Sequence, residues 1–243
     1  MNTIVSAFVS NINNRYIDTI TQYYELGKPL LMSSVPKIIF VDKIMFDLIG
    51  ENYDKTNTFI VEIDKHDSYL YKFQHLLNNF QLNSTNYSKD TIEFMFTMCN
   101  KTEWIRKAIE INHFNTDHFI WIDFGIRHVF KKFNNDIFTE KINSLQFKIY
   151  DDLRIGGIWD VKNNYEIDIY KDVAWYFAGG VFGGNTKSLI KFADLMMTKC
   201  INTIKEHNTI MWEVNIWYLI YLEDSVLFNI YKCDHNHTII DSY

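Results

Sequence analysis

A chain of 243 residues that is 47% hydrophobic and carries a net charge of −6 can bury a large core, but it has no basic surplus with which to neutralise a nucleic-acid backbone, so nucleic acid is excluded as an expected partner. Its three cysteines, Cys99, Cys200 and Cys233, are isolated, with no C-x-x-C, which argues against a zinc ribbon or a disulfide framework and for buried, reduced thiols. No apolar run reaches membrane-spanning length and no basic leader opens the sequence, so a cytoplasmic protein without a transmembrane segment is expected.

Two prolines, no repeat and no low-complexity linker point to one domain over residues 1–243. Residues 3–9 (TIVSAFV) read as a first strand, followed by a polar loop that contains Arg15. A helix is predicted over 16–26, stopped by Gly27 with Pro29 beyond. KIIFVD (37–42) and FIVEI (59–63) are short apolar strands, the first ending on Asp42. Strands of this kind separated by helices suggest a Rossmann-like sheet. The G-x-G-x-x-G fingerprint of a dinucleotide site is absent from the sequence.

Residues 68–80 and 90–112 read as helical. In the second segment Phe94, Met98, Ile105 and Ile109 recur at helical spacing. Lys101 and Arg106 lie on the same segment; each either reaches a phosphate or is a solvated surface cation. HFIWIDFGI (118–126) is a buried strand that ends on Asp123. An acid at the carboxyl end of a strand in an open α/β sheet is placed to hold a metal or sugar, or else caps a turn. Residues 145–150 (LQFKIY) alternate like a half-exposed strand, and Gly156-Gly157 reads as a turn or bulge.

Four of the nine glycines fall in residues 179–184, in the pairs Gly179-Gly180 and Gly183-Gly184. Inside an apolar run, such pairs suggest a strand and turn that lie against a ligand; a tight hairpin is the structural alternative. Residues 186–206 are amphipathic, with Thr186 as expected N-cap. Residues 210–220 form another helix, in which Glu213 and Asn215 interrupt an apolar segment that begins at Met211-Trp212. A carboxylate in such surroundings needs a partner. It is either a catalytic group or a structural one at a helix start. Residues 226–231 are the last strand. His235 and His237 follow on an alternating spacing that would aim both to one side, as a metal half-site or as a solvated tail.

TIVSAFV, YYELGKPLL with PKIIFVD, CNKTEWIRKAIE and HFIWIDFGI together resemble the HtrL/YibB (WlaTC-like) family, read as glycosyltransferases of the GT-A nucleotide-diphospho-sugar type. The resemblance implies an α/β fold in which a mixed, Rossmann-type sheet is flanked by helices. Residues 1–126 would bind the nucleotide, and residues 127–243 the sugar and acceptor. WYFAGGVFGGN, a helix and MWEVNIWYL are similar in layout to the retaining ABO-type blood-group transferases. That analogy makes Glu213 the catalytic group, as nucleophile or charge stabiliser, and places Trp212 with Gly179, Gly180 and Gly183 at the substrate. Ala7, Phe8, Arg15, Asp42, Lys101, Arg106 and Asp123 would bind the nucleotide sugar, expected to be UDP-linked.

The family's Asp-x-Asp pattern is incomplete, because Phe124 and Gly125 follow Asp123. A divalent cation, Mn²⁺ in preference to Mg²⁺, would then be held by Asp123 with His235 or His237. The acceptor, whether glycan, protein or lipid-linked, and the oligomeric state are not specified by the sequence. Two other classes compete. One is a catalytically silent nucleotide-sugar or glycan binder of the same fold. The other is a different α/β enzyme, against which stands the lack of a phosphate loop and of a nucleophile elbow.

Overall fold

The computed structural model describes residues 1–12, 19–78, 80–163 and 165–243. Arg15 lies outside the described residues. Among the described residues, seven strands form one mixed sheet. In chain order they are β1 (Asn2–Phe8), β2 (Lys37–Val41), β3 (Thr58–Glu62), β4 (His118–Ile122), β5 (Leu153–Gly157), β6 (Phe177–Asn185) and β7 (Phe228–Lys232). Their spatial order is β3-β2-β1-β4-β6-β5-β7. β1 to β4 run parallel, whereas β6 is antiparallel to both β4 and β5. The chain is therefore of the α/β class, with a mixed sheet.

The α-helices among the described residues are α1 (Thr19–Leu31), α2 (Lys43–Ile49), α3 (Ile92–Cys99), α4 (Lys101–Ile111), α5 (Asn135–Ser144), α6 (Thr186–His207), α7 (Glu213–Glu223) and α8 (Thr238–Asp241). Side chains alternate across a strand, so each strand contributes to both faces of the sheet. Val5, Ile38, Phe40, Phe119 and Trp121 pack with residues of α3, α4, α6 and α7. Ile4, Ile120 and Ile122 pack with residues of α1, α5 and α8, and Ile39 and Val41 with α1 and α2. Both faces are thus covered, which is why the parallel strands read as continuous apolar runs.

Several elements depart from the sequence reading. α1 runs through Gly27 and Pro29 to Leu31. Gly27 is there for contact rather than for termination: a Cβ on it would lie 2.1 Å from the Phe124 ring. Residues 90–112 are two helices broken at Asn100. The helix expected over 68–80 is a 3₁₀ segment, Tyr69–Leu76. Residues 145–150 form no strand; α5 is followed by a 3₁₀ turn, Leu145–Phe147. The carbonyls of Leu145 and Lys148 accept from the Asn2 side chain at 2.7 and 2.6 Å, fixing the segment beside the start of β1. Gly156-Gly157 ends strand β5, with a register shift of the bulge kind. The glycine-bracketed segment is one nine-residue strand, with no turn inside it. The N-cap of α6 is Asn185, one residue earlier than expected, accepting from Ser188 N–H at 2.8 Å.

Candidate active site

Four elements meet where β4 ends. α4 begins with Lys101, β4 delivers Asp123, β6 passes alongside, and α7 begins with Glu213. The Lys101 ammonium donates to Asp123 Oδ1 at 2.8 Å, to Glu213 Oε1 at 2.7 Å and to the Gly179 carbonyl at 3.0 Å. An ammonium has three N–H groups, and these three acceptors use all of them. Lys101 is only 2% exposed. Burial alone would pull its ammonium down. The two carboxylates outweigh that cost and hold it above the ordinary lysine range.

Asp123 is held from two further sides. Its Oδ1 accepts from Trp121 Nε1 at 2.7 Å, and its own N–H donates to the Gly180 carbonyl at 2.9 Å. Trp121 in turn stacks on Trp104 of α4, with ring centroids 5.8 Å apart. The Asp123 side chain remains 33% exposed, against 8% for Glu213. The group therefore opens to solvent on the Asp123 side. Two acids against one ammonium leave it with a net negative charge.

The glycines of β6 set how closely these parts approach. A Cβ on Gly179 would stand 2.4 Å from Glu213 Oε1, and one on Gly180 would stand 2.6 Å from Ile126 and 3.8 Å from Asp123 Oδ2. Only glycine at 179 allows the strand to pass this near Glu213, whereas at 180 the space is taken by Ile126. Gly183 is elsewhere, paired with Ile120 partway down β4, and its missing side chain makes room for Tyr243 and the Phe119 carbonyl. Trp212 is buried at the N-cap position of α7, directly before Glu213. Glu213 has both attributes expected from its sequence context, burial and a charged partner.

A second part of the same sheet edge lies at the ends of β1, β2 and β3. A cavity of about 500 Å³ there is lined by residues that include Ser10, Asp42, Lys43, Glu62 and Lys65. Asp42 caps α2, accepting from Met45 N–H at 3.0 Å through Oδ1. Its Oδ2 accepts from Ser10 N–H at 2.7 Å and from the Ser10 hydroxyl. Ala7 and Phe8 pair with Phe40 and Val41 at the end of β1. The Phe8 ring lies against Tyr23 and Phe124 at 5.1 and 5.8 Å. Phe124 is consequently a packing residue, wedged between Phe8 and Gly27.

Arg106 is not brought to this site. It bridges Glu103 at 3.2 Å and Asp194 of α6 at 2.7 Å. The two histidines also go to separate partners, because the chain bends at 235–236 and is not extended. The His235 ring meets Trp175 edge-on at 4.4 Å. His237 pairs through Nδ1 with Asp241 at 2.8 Å and packs against Phe133. Among the described residues, no group of three or more His, Cys, Asp or Glu side chains converges to hold a metal. With Lys101 already on Asp123, these side chains do not form a divalent-cation site among the described residues.

What the sequence reading did not foresee is the role of Lys101 as the hub of this group. The signal was present. Lys101 lies three residues after Met98 and four before Ile105, on the apolar stripe itself. A cation in such a stripe must find a buried partner.

The chain belongs to the HtrL_YibB family of bacterial proteins of unknown function, which it matches over residues 3–239. No curated protein matches it. Among solved structures it is similar to mouse xyloside xylosyltransferase 1, with 11% identity, a TM-score of 0.45 and coverage of 95% of this chain and 85% of that one. It is also similar to a glycosyltransferase involved in glycosylation of the major capsid of PBCV-1, with 13% identity, a TM-score of 0.44 and coverage of 95% and 81%.

Proposed function

We propose that this chain is a glycosyltransferase that moves a sugar from a nucleotide-diphosphate donor, UDP-linked, to an acceptor hydroxyl. The observation that carries the reading is the buried Lys101 ammonium clamped between Asp123 and Glu213 at the end of β4. Two carboxylates fixed in this way beside a glycine strand suit a reaction in which positive charge grows on a sugar ring.

In that reaction the bond from the anomeric carbon to the diphosphate oxygen breaks, and its electron pair leaves with the diphosphate. The acceptor oxygen forms the new bond, and its proton passes to a base or to solvent. Glu213 is the carboxylate assigned to the anomeric carbon. It either stabilises the oxocarbenium-like state electrostatically or attacks to form a covalent intermediate, which would give retention. Lys101 holds Glu213 and Asp123 in place through its ion pairs. Its three N–H groups are already engaged, so it serves as a positioning cation and reaches a phosphate only by giving up one of them. The net negative charge of the group stabilises the sugar cation and repels the diphosphate. The leaving group is therefore assigned away from this group, on the side of the β1–β3 cavity. Asp42, locked by Ser10, is placed to receive ribose or base hydroxyl and N–H groups.

The test is a panel of UDP-sugars read by thermal shift and by donor hydrolysis, since a bound ligand stabilises the fold by mass action. A transferase raises its melting temperature with one donor and hydrolyses that donor slowly. Binding without hydrolysis would leave the silent binder as the reading, and neither response to any donor would reject both.

A further inference from the structure

Residues 80–92 enclose a second cavity of about 500 Å³, separate from the one at β1–β3. Its lining has the chemistry that holds sugars. Tyr87 is 75% exposed and offers a free ring face. Gln81 supplies an amide, Asn83 an amide oxygen, and Ser84 and Asp90 a hydroxyl and a carboxylate. One oxygen of Asp90 accepts from the Ser84 hydroxyl. The other, Oδ1, is shielded from water and has no hydrogen-bond partner among the described residues. A buried acceptor left unsatisfied in this way is costly and gains from a hydroxyl donor.

The cavity is tied to the reaction centre by a chain of hydrogen bonds. Asn83 N–H donates to the Lys171 carbonyl at 2.9 Å, and its side-chain amide donates to Asp172 Oδ1 at 2.9 Å. The Asp172 carbonyl accepts from Asn215 Nδ2 at 2.7 Å. Asn215 lies on the first turn of α7, two residues after Glu213. On the other side, the Thr91 hydroxyl donates to the Ile12 carbonyl, just beyond the end of β1, at 2.6 Å. The cavity thus borders the same edge of the sheet as the Lys101 group. Asp90 in its lining and Asp172 beside it disfavour anionic ligands, so a second diphosphate does not suit it.

We propose that this cavity is an acceptor subsite for an uncharged oligosaccharide, with Tyr87 stacking on a sugar ring and Asp90 receiving a sugar hydroxyl. The proposal rests on the transferase reading for the word acceptor, but not for the binding itself. Saturation-transfer NMR with lactose, chitotriose and maltotriose tests the binding on the full chain. Transfer to at least one of them is expected, with Tyr87→Ala weakening its affinity about tenfold, as expected for loss of one aromatic contact and its buried area. Tyr87→Phe keeps the ring face and is expected to retain binding. UDP-sugar hydrolysis is expected to be unchanged in both variants. No transfer from any of the three sugars, or equal transfer in Tyr87→Ala, overturns the subsite. Loss of hydrolysis in Tyr87→Ala overturns it too, because the loop would then be structural. Sugar binding by a protein that hydrolyses no donor overturns the acceptor role while leaving a glycan-binding cavity.

Discussion

Lys101 is one residue whose removal separates several effects. With Lys101→Met, two carboxylates at the β4 edge lose their counter-ion, and Glu213 is left buried beside the Gly179 carbonyl. Breaking a buried pair by removing one partner costs 3–5 kcal/mol, and the exposure of Asp123 puts the expected loss at the low end, about 3 kcal/mol in urea unfolding at neutral pH. The folded-state pKa of Lys101 lies above its unfolded value. Its contribution is therefore complete below the ordinary lysine value and is lost only as pH rises through the higher, folded one. A variant whose unfolding free energy matches the wild type would remove Lys101 from the clamp. Asp123→Asn keeps an acceptor for Trp121 and Lys101. It is expected to fold normally and to lose most donor hydrolysis; a folded variant with wild-type turnover would dismiss Asp123 from the reaction.

At the scale of elements, β6 carries the sharpest prediction. Gly179→Ala puts a methyl 2.4 Å from Glu213 Oε1, so strand or carboxylate must shift. Donor hydrolysis is expected to fall by at least about tenfold, which corresponds to about 1.4 kcal/mol of lost transition-state stabilisation, while circular dichroism stays that of a folded protein. Undiminished hydrolysis would show that Glu213 need not stand against this strand. β2 carries a different one. Lys37 is fully buried, its ammonium donating to Ser33 O, Asn57 Oδ1 and Thr58 Oγ1 at 2.7, 2.8 and 3.1 Å. Burial pulls its pKa down to about 7, a shift partly offset by Asp54. Between that value and the ordinary 10.5, the unfolded chain binds a proton that the folded chain does not, so stability from this group rises with pH across that window. Urea unfolding at pH 7 and at about pH 9 is expected to show this rise in the wild type and to lack it in Lys37→Met.

The elements also show which parts of the fold were legible. β1 to β4 are apolar runs covered on both faces, and period and composition alone identify them. α1 was misjudged at Gly27, because a glycine and a proline near a helix end look like a terminator when the Phe124 ring that needs the space is 97 residues away. The glycine-rich β6 looked like a strand and turn for the same reason. Its glycines answer to Glu213, Ile126 and Tyr243 across the fold, and not to a local change of direction. In the site, Asp123 and Glu213 were visible as acids in apolar surroundings. Their common partner was not, since Lys101 and Glu213 are 112 residues apart. His235 and His237 were misplaced because their spacing implies a common side only on an extended chain, and here the chain bends.

For the whole molecule, the order β3-β2-β1-β4-β6-β5-β7 places the Ser10–Asp42 cavity and the Lys101 group on one edge of one sheet. The parallel half ends at the Ser10–Asp42 cavity. The antiparallel strand β6 then brings the glycines, and α7 brings Glu213, to the end of β4. A donor lying across that edge would have its nucleotide over β1 to β3 and its sugar at the Lys101 group, with residues 80–92 facing the acceptor. The most direct measurement of this account is UDP-sugar binding and hydrolysis by wild type and Glu213→Gln, each with and without Mn²⁺. Glutamine keeps an acceptor oxygen for Lys101 and removes the charge. Both proteins are expected to be stabilised by the same donor, and only the wild type is expected to hydrolyse it. Hydrolysis by Glu213→Gln at the wild-type rate would contradict this account.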